Sequence, residues 1–363
     1  MRKILFPILL LSAVAVQAQD SLRYKIAQML VVGFRGFELT SGNHIYSDVK
    51  DLGIGGVILF DWDSPSKSRE RNISSPQQLK KLCSDLQNIT PDKLIISVDQ
   101  EGGRVNRLKT RNGFPRTVSA QYLGELNNID TTRFYARETA ELLKELGFNV
   151  NFIPCVDLNI NPKCPVIGAV ERSFSGNPDI VFNHSKIWIE EHHRQGIQTS
   201  PKHFPGHGSS TNDSHLGLTD VTKTWTNREL IPYRKLMEGE QCDMVMVSHT
   251  FNRKLDDKYP ATLSKKIIDG LLRKKMGYDG LVITDDMAMS AIVDYYSFET
   301  ALEKAINAGV DMLILSNNGK TYDAQIAKRA IDIIESLVRQ KKISEKRINE
   351  AYQRIAKLKG KLV

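Results

Sequence analysis

The sequence predicts an α/β fold, a single (β/α)8 barrel in which some of the parallel strands are irregular. Eight short apolar, β-branched runs recur along the 363 residues, and segments with helical periodicity separate them. This alternation favours a parallel sheet, and eight is the number of strands that closes a barrel. The predicted strands are 29–32, 56–60, 94–98, 150–153, 198–202, 244–248, 281–284 and 311–315.

The predicted helices carry apolar residues on one face and end at helix-stopping glycines. In the segment 131–146 apolar side chains recur on one side, and Gly147 follows as a C-terminal stop. The segment 178–195 ends in the same way before Gly196. The other predicted helices are 77–87, 227–237, 264–274, 299–308, 324–339 and 345–358.

An open, doubly wound sheet is the alternative architecture, and it would need a glycine-rich turn after its first strand. Gly53 to Gly56 is the nearest candidate, but it precedes the strand 56–60, so the dinucleotide-binding pattern fails. No internal repeat, low-complexity tract or linker divides the chain. We therefore expect one barrel domain over residues 19–363.

The first 18 residues have the features of an export signal. Arg2 and Lys3 form a basic start, an apolar stretch covers 4–16, and small residues allow cleavage before Gln19. The apolar stretch is shorter than the roughly 20 residues that a membrane-spanning helix needs. We therefore expect an exported protein, periplasmic or secreted, with no membrane anchor after cleavage.

Composition and charge exclude several classes of protein. Hydrophobic residues make up 41% and charged residues 25%, which is globular composition rather than disordered or fibrous. The formal charge is +8, but the basic residues are scattered among acids, so no nucleic-acid partner is predicted. We expect a monomer. Cys155 and Cys164 are close enough in sequence for a disulfide, and free thiols are equally compatible with the sequence.

Titratable residues collect at the C-terminal ends of the predicted strands, where the functional groups of α/β barrels gather. Asp99, Glu101 and Arg107 follow the third strand, and Asp285 and Asp286 follow the seventh. We expect these side chains to share one rim. Asp286 is interpreted as structural, because neighbouring residues on a strand point in opposite directions, and Glu101 as a loop or ligand-binding residue.

The loop that begins at Lys202 and ends at His215 holds three of the eight histidines. Proline and glycine prevent it from forming a helix, and connections of this length at a barrel rim are usually functional. The spacing of His203 and His207 is typical of zinc motifs only on a helix, so no metal site is predicted here. His207 is interpreted as a residue that holds the loop.

Five motifs occur in order along the chain: DQEGGRV from Asp99, NP at Asn161 through PVIG to RSF, KHFPGHG from Lys202, DSH from Asp213, and ITDDM from Ile283. Together they resemble the family 3 glycoside hydrolases, and within that family the β-N-acetylglucosaminidase branch. The resemblance extends from about residue 26 to about residue 309. It implies a barrel and a retaining exo-glycosidase without a cofactor, which releases terminal β-linked N-acetylglucosamine from a glycan such as a peptidoglycan fragment.

The resemblance also implies a role for individual residues. Asp285 corresponds to the nucleophile, His215 to the general acid/base, and Asp213 to the residue that orients it. Asp157 and Met287 match motif positions but are weaker candidates for direct contacts. The positions that match sugar-binding residues are Asp99, Arg107, Arg172, Lys202 and His203.

Retaining hydrolysis needs one group that attacks the anomeric carbon and another that protonates the leaving oxygen, usually two carboxylates. A histidine can do the second task near neutrality, because its intrinsic pKa is near 6.5. Since His215 lies on a glycine-rich loop, it could move in after the substrate binds.

The sequence is also compatible with four other functions. A phosphorylase or a β-glucosidase could use the same residues, and a metal-dependent amidase or deacetylase would need converging ligands. A non-catalytic sugar-binding protein is the fourth, but Asp285, Asp213 and His215 are all present, so nothing in the sequence favours it.

Overall fold

The computed structural model describes residues 21–362, so the predicted export signal at 1–18 lies outside the described residues. The chain folds as an α/β protein around parallel strands. The strands are β1 (Leu30–Gly33), β2 (Gly56–Ile58), β3 (Ile95–Val98), β4 (Val150–Asn151), β5 (Gln198–Thr199), β6 (Thr219–Asp220), β7 (Met244–Val247), β8 (Thr250–Phe251), β9 (Leu281–Thr284) and β10 (Leu313–Leu315).

Eight of these strands are the predicted ones. Six lie side by side in the order β10-β1-β2-β3-β4-β5, and β7 pairs with β9. Isolated parallel bridges link the two sheets at both junctions, Phe204 with Val247 and Ile283 with Met312. Regular pairing is therefore interrupted, and the predicted barrel with irregular strands is confirmed. The remaining strands, β6 and β8, form a separate parallel pair that the sequence did not predict.

Three strands of the ring are buried along their whole length and are almost entirely apolar. Every residue of β1, β7 and β9 is buried. Continuous apolar runs of this kind are typical of parallel sheets with helices packed outside them. The core thus forms around the ring and leaves the polar residues that follow each strand at its rim.

Four short helices, at 22–28, 44–47, 120–126 and 290–293, were not predicted. The eight predicted helices lie close to their predicted segments and cover the outside of the ring. Two differ in geometry: 264–274 is a π-helix, Lys266–Lys275, and the predicted 227–237 begins with a 3-10 turn, Asn227–Leu230. The α-helices are α1 (Leu22–Gln28), α2 (His44–Ser47), α3 (Pro76–Asn88), α4 (Ala120–Leu126), α5 (Ile129–Leu146), α6 (Pro178–Arg194), α7 (Ile231–Glu238), α8 (Ser290–Val293), α9 (Phe298–Ala308), α10 (Ile326–Arg339) and α11 (Glu345–Lys359).

The long helices begin and end at the residue types that favour helix termini. Ser75 caps α3 by accepting a hydrogen bond from the backbone N–H of Gln78, and Pro76 occupies the first turn. Gly147 ends α5 in the left-handed region at φ 89°, as predicted from the sequence.

The cysteines are unpaired, and no described helix could cross a membrane. All four cysteines lie within residues 21–362 and are free thiols. Cys155 donates a hydrogen bond to Asp157 at 3.3 Å, and Cys164 lies 3.1 Å from the hydroxyl of Ser210. Within the same residues, each helix is too short or too polar to span a bilayer.

Candidate active site

Acidic and basic side chains that follow the strand ends lie around one cavity. Asp99 directly follows β3, Lys202 and His203 follow β5, and Asp285 directly follows β9. Because the strands of the ring are parallel, their carboxyl ends meet at the same rim. Arg172 comes from the long loop between β4 and α6 and also lines this cavity.

Glu101 connects the two main cations of the site. Its carboxylate accepts hydrogen bonds from Arg172 Nε at 2.8 Å and Nη2 at 2.6 Å, and it lies 2.7 Å from Lys202 Nζ. Lys202 Nζ also donates to Asp99 at 2.6 Å. Burial would raise the pKa of Glu101, but the two cations hold that pKa well below its usual value. Glu101 is therefore an ionised anchor for Arg172 and Lys202.

His203 lies between Asp157 and Arg172, and these contacts indicate its tautomer. Its Nδ1 is 2.6 Å from Asp157 Oδ2, and its Nε2 is 3.1 Å from Arg172 Nη2. Because a guanidinium can only donate, Nε2 accepts and the proton lies on Nδ1. Asp157 also accepts the backbone N–H of His207 at 2.7 Å. We call Asp99, Glu101, Asp157, Arg172, Lys202 and His203 the charged cradle.

Asp285 is an ionised carboxylate beside three histidines. Its Oδ1 accepts the backbone N–H of Asp286 at 2.8 Å. Burial would raise the pKa of Asp285, but His203, His249 and His215 and this backbone bond outweigh the effect and hold the pKa well below its usual value. A carboxylate of this kind is available as a nucleophile at neutral pH.

The neighbouring Asp286 is held by structural hydrogen bonds, as the sequence predicts. Its carboxylate accepts from the backbone N–H groups of Ala288 at 3.1 Å and Ser316 at 3.0 Å, and from the Ser316 hydroxyl at 2.5 Å. These bonds join the loops that follow β9 and β10. Because these bonds engage the Asp286 carboxylate, Asp285 is the one of the two acids that is available to a ligand.

His215 and Asp213 form a hydrogen-bonded pair on the outer loop. His215 Nδ1 is 2.8 Å from Asp213 Oδ1, and the same oxygen accepts the backbone N–H of His215 at 2.8 Å. The His215 side chain is 60% exposed. The bond from Asp213 raises the pKa of His215, burial opposes this, and the charge of Asp285 adds to the increase. The imidazole is therefore stabilised in its protonated form.

His207 holds the base of this loop, in agreement with its predicted structural role. Its Nδ1 is 2.9 Å from the hydroxyl of Ser210, and its Nε2 is 3.0 Å from that of Ser214. These bonds join two parts of the loop, and the backbone N–H of His207 attaches the loop to Asp157. Beyond His215 in the chain, Leu216 is 82% exposed.

The cavity consists of two adjoining compartments, which share part of their lining. The first, of about 130 Å³, is lined among others by Arg172, Lys202, His203 and Ser214, and we call it the basic compartment. The second, of about 210 Å³, is lined among others by Phe60, Trp62, Ser64, Ser316 and Asn318, and we call it the Trp62 compartment. The lining residues common to both are Asp99, Arg107, His215, Met246 and Asp285.

The structure brings together the residues that the sequence singled out. Every predicted site residue except Asp213 lines the cavity, and Asp213 contacts it through His215. Asp157 is buried beneath His203, and Met287 faces a separate cleft beside Tyr296. The geometry places these groups, and their individual roles remain predictions.

Sequence reasoning missed the anchoring role of Glu101 and most of the Trp62 compartment. Trp62 follows β2, and Ser316 and Asn318 follow β10. Their position after strands is the signal that could have indicated them, because uncharged residues at strand ends gather at the same rim as Asp285. Roomier clefts lie elsewhere, for example one of about 500 Å³ beside Arg329, but no strand-end acid lines it.

Within the described residues, Cys155, Asp157 and His203 could each offer one ligand atom to a metal, all within 4.8 Å of one another. These atoms already bond to each other, and His203 Nε2 contacts the guanidinium of Arg172. A dication here would face that positive charge. We therefore interpret Asp157 and His203 as part of the charged cradle, and Cys155 as a hydrogen-bond donor to Asp157.

Comparison with known proteins identifies the family of this chain. A family model described as the glycosyl hydrolase family 3 N terminal domain matches residues 21–358. The chain belongs to glycosyl hydrolase family 3. It is 35% identical over 271 residues to a protein named beta-hexosaminidase from Tolumonas auensis, an alignment that covers 73% of this chain and 76% of the relative.

Two further relatives are longer than this chain. Beta-hexosaminidase A of Pseudoalteromonas piscicida is 32% identical over 338 residues, 85% of this chain but 54% of the relative. The structure of a family 3 beta-N-acetylglucosaminidase from Paenibacillus sp. str. FPU-7 superposes with a TM-score of 0.84 at 33% identity. It covers 94% of this chain and 62% of that one, so the chain spans little more than half the length of these two relatives.

Proposed function

We propose that this family 3 glycosidase is a retaining exo-β-N-acetylhexosaminidase that releases terminal β-linked N-acetylglucosamine. One observation carries the proposal: an ionised Asp285 and a protonatable His215 line the same two compartments. A nucleophile and a proton donor around one cavity are what double displacement requires. The names of the relatives support the choice of sugar.

In the first step, a carboxylate oxygen of Asp285 attacks the anomeric carbon while the bond to the leaving oxygen breaks. His215 donates its proton to that oxygen from Nε2, because Nδ1 is engaged by Asp213. The products of the step are a glycosyl ester on Asp285, the released alcohol of the leaving group and a neutral imidazole.

In the second step, the neutral imidazole accepts a proton from water as the water oxygen attacks the anomeric carbon. The ester bond breaks, Asp285 becomes a carboxylate again, and His215 returns to its protonated form. Asp213 holds the ring in one orientation in both steps and stabilises the imidazolium.

The charged cradle supplies the binding groups for the terminal sugar. Arg172 and Lys202 present donors, and Asp99 presents an acceptor that is already hydrogen-bonded to Lys202. These side chains are fixed by ion pairs before the ligand arrives, which reduces the entropy lost on binding. The small volume of the basic compartment, about 130 Å³, supports exo action on a single terminal sugar.

We further propose that the protein is exported, to the periplasm where the cell has one, and that it acts on peptidoglycan fragments. This rests on the export features of residues 1–18 and on the proposed sugar. Mass analysis of the protein from its native host should give a chain that starts near Gln19. An intact Met1 would contradict export.

The deciding assay compares chromogenic β-N-acetylglucosaminide with the matching β-glucoside, with Asp285→Asn as the inactive control. We expect a higher kcat/KM on the first substrate, and equal or higher values on the glucoside would refute the proposed specificity. Product formation in phosphate and in phosphate-free buffer separates hydrolysis from phosphorolysis. Full activity after exhaustive chelation would eliminate a metal-dependent amidase or deacetylase.

A further inference from the structure

Trp62 differs from the other two tryptophans of the chain. Trp188 and Trp225 are buried, whereas Trp62 is 41% exposed. It lines the compartment that also contains Asp285 and His215. A large aromatic ring that is open to solvent beside a reacting centre is a surface on which a ligand can stack.

The backbone around Trp62 is held by the loop that follows β10. Asn318 Nδ2 donates to the carbonyl oxygen of Trp62 at 3.0 Å, and Asn318 Oδ1 accepts the backbone N–H of Ser64 at 2.8 Å. One amide side chain therefore connects two loops at the rim of the Trp62 compartment. Because Asn318 lines that compartment too, it also offers polar groups at its edge.

A buried ion pair fixes the next residue along the chain. Asp63 is fully buried and accepts hydrogen bonds from Arg35 Nη2 at 2.8 Å and Arg71 Nη1 at 2.5 Å. It also accepts the backbone N–H of Ser66 at 3.0 Å. Trp62 is thus an exposed side chain on an anchored segment, which reduces the ordering cost when a ligand stacks on it.

We propose that Trp62 is the platform for the leaving-group sugar, the unit that is attached to the terminal N-acetylglucosamine. The inference rests on the proposed function and assigns the two compartments to the two sides of the scissile bond. The basic compartment holds the terminal sugar against Arg172 and Lys202, and the next sugar stacks its apolar C–H face on the ring of Trp62.

The first test uses two substrates that differ only in the leaving group. N-Acetylglucosaminyl fluoride has no ring to stack, whereas N,N′-diacetylchitobiose has one. Trp62→Ala should lower kcat/KM about tenfold on the disaccharide and leave the fluoride unchanged. Trp62→Phe should retain most of the activity on the disaccharide. Phe134→Ala removes an exposed aromatic from α5, outside the cavity, and should change neither substrate.

Equal losses on the fluoride and the disaccharide would overturn the proposal, and so would no loss on either. The second test follows binding, by acrylamide quenching of tryptophan fluorescence in Asp285→Asn. The disaccharide should protect Trp62, and N-acetylglucosamine alone should not. Protection by the monosaccharide, or none by a bound disaccharide, would also overturn it. Failure of the wild type to hydrolyse both substrates would instead refute the proposed function, and this inference with it.

Discussion

The charged cradle and the loop that carries His215 occupy the same cavity but are built in different ways. Glu101 and Lys202 are buried, the Arg172 side chain is 11% exposed, and ion pairs between 2.6 and 2.8 Å join the three. His215 is 60% exposed, and its bonded side-chain partner is Asp213, two residues away. The binding groups are therefore part of the folded core, whereas the proton-transfer group lies on its edge.

This difference predicts that mutation can separate the chemical step from substrate binding and stability. Changes in the cradle should affect stability and affinity together, because the same ion pairs serve both. Changes in the outer loop should affect the rate and leave the fold intact. Asp285 lies between the two regions, at the end of β9 and beside both compartments.

The largest effect is expected for Asp285→Ala. It should abolish turnover with every substrate, because no leaving group is good enough to remove the need for a nucleophile. Steady-state assays on the fluoride, an aryl glycoside and the disaccharide measure this. Asp286→Asn is the control; it should weaken bonds to Ser316 but retain the nucleophile. Activity of Asp285→Ala above the background would contradict the assignment.

His215→Ala should cost about 10²- to 10⁴-fold on a glycan, the usual contribution of a positioned acid/base. The first step should lose much less with a dinitrophenolate leaving group, because that group departs without a proton. Pre-steady-state rates with the two leaving groups measure the difference, and azide should accelerate the second step. An equal loss of the first-step rate for both leaving groups would remove His215 from the role of acid.

Lys202→Met tests the cradle. The substitution removes the ammonium group that donates to the Asp99 carboxylate at 2.6 Å, while Glu101 retains its ion pair with Arg172. We expect the free energy of unfolding to fall by roughly 3 kcal/mol, at the low end for breaking a buried ion pair. Thermal unfolding measures this, with His215→Ala as the matched variant that should keep the wild-type Tm. If both variants lowered Tm equally, the contrast between the two regions would be wrong.

Asp213→Asn should have the smallest effect of the four. The Asp213 carboxylate raises the pKa of His215, and the first step needs His215 protonated, so activity falls as pH rises through that pKa. Without this carboxylate the pKa is lower, and the alkaline limb of the kcat/KM profile should move to lower pH. A limb that stayed in place would show that Asp213 does not act through His215.

The strands and the acids that follow them were predictable because both depend on local pattern. Apolar runs such as 281–284 predict strands directly from the sequence. Asp285 was predicted as a site residue because it stands at the end of one of these strands. The π-helical geometry of Lys266–Lys275 was not predictable, because hydrophobic periodicity does not distinguish it from an α-helix. The pairing of Phe204 with Val247 depends on tertiary closure of the ring.

The contacts within the site were less predictable than its members. Glu101 lies 71 residues from Arg172 in sequence, and no local signal indicates that the two form a bidentate pair. Trp62 and Asn318 are separated by 256 residues and meet only when the loops after β2 and β10 come together. Such partners follow from the topology of the barrel, so they required coordinates.

The most direct test of the account is intact-mass analysis of His215→Ala during turnover of an activated aryl N-acetylglucosaminide. The second step needs a base, so this variant should accumulate a covalent adduct of one sugar, and peptide mapping should locate it on Asp285. The adduct should disappear on addition of azide. A label on Glu101 or Asp286, or no covalent adduct while the aryl leaving group is released in a burst, would contradict the account.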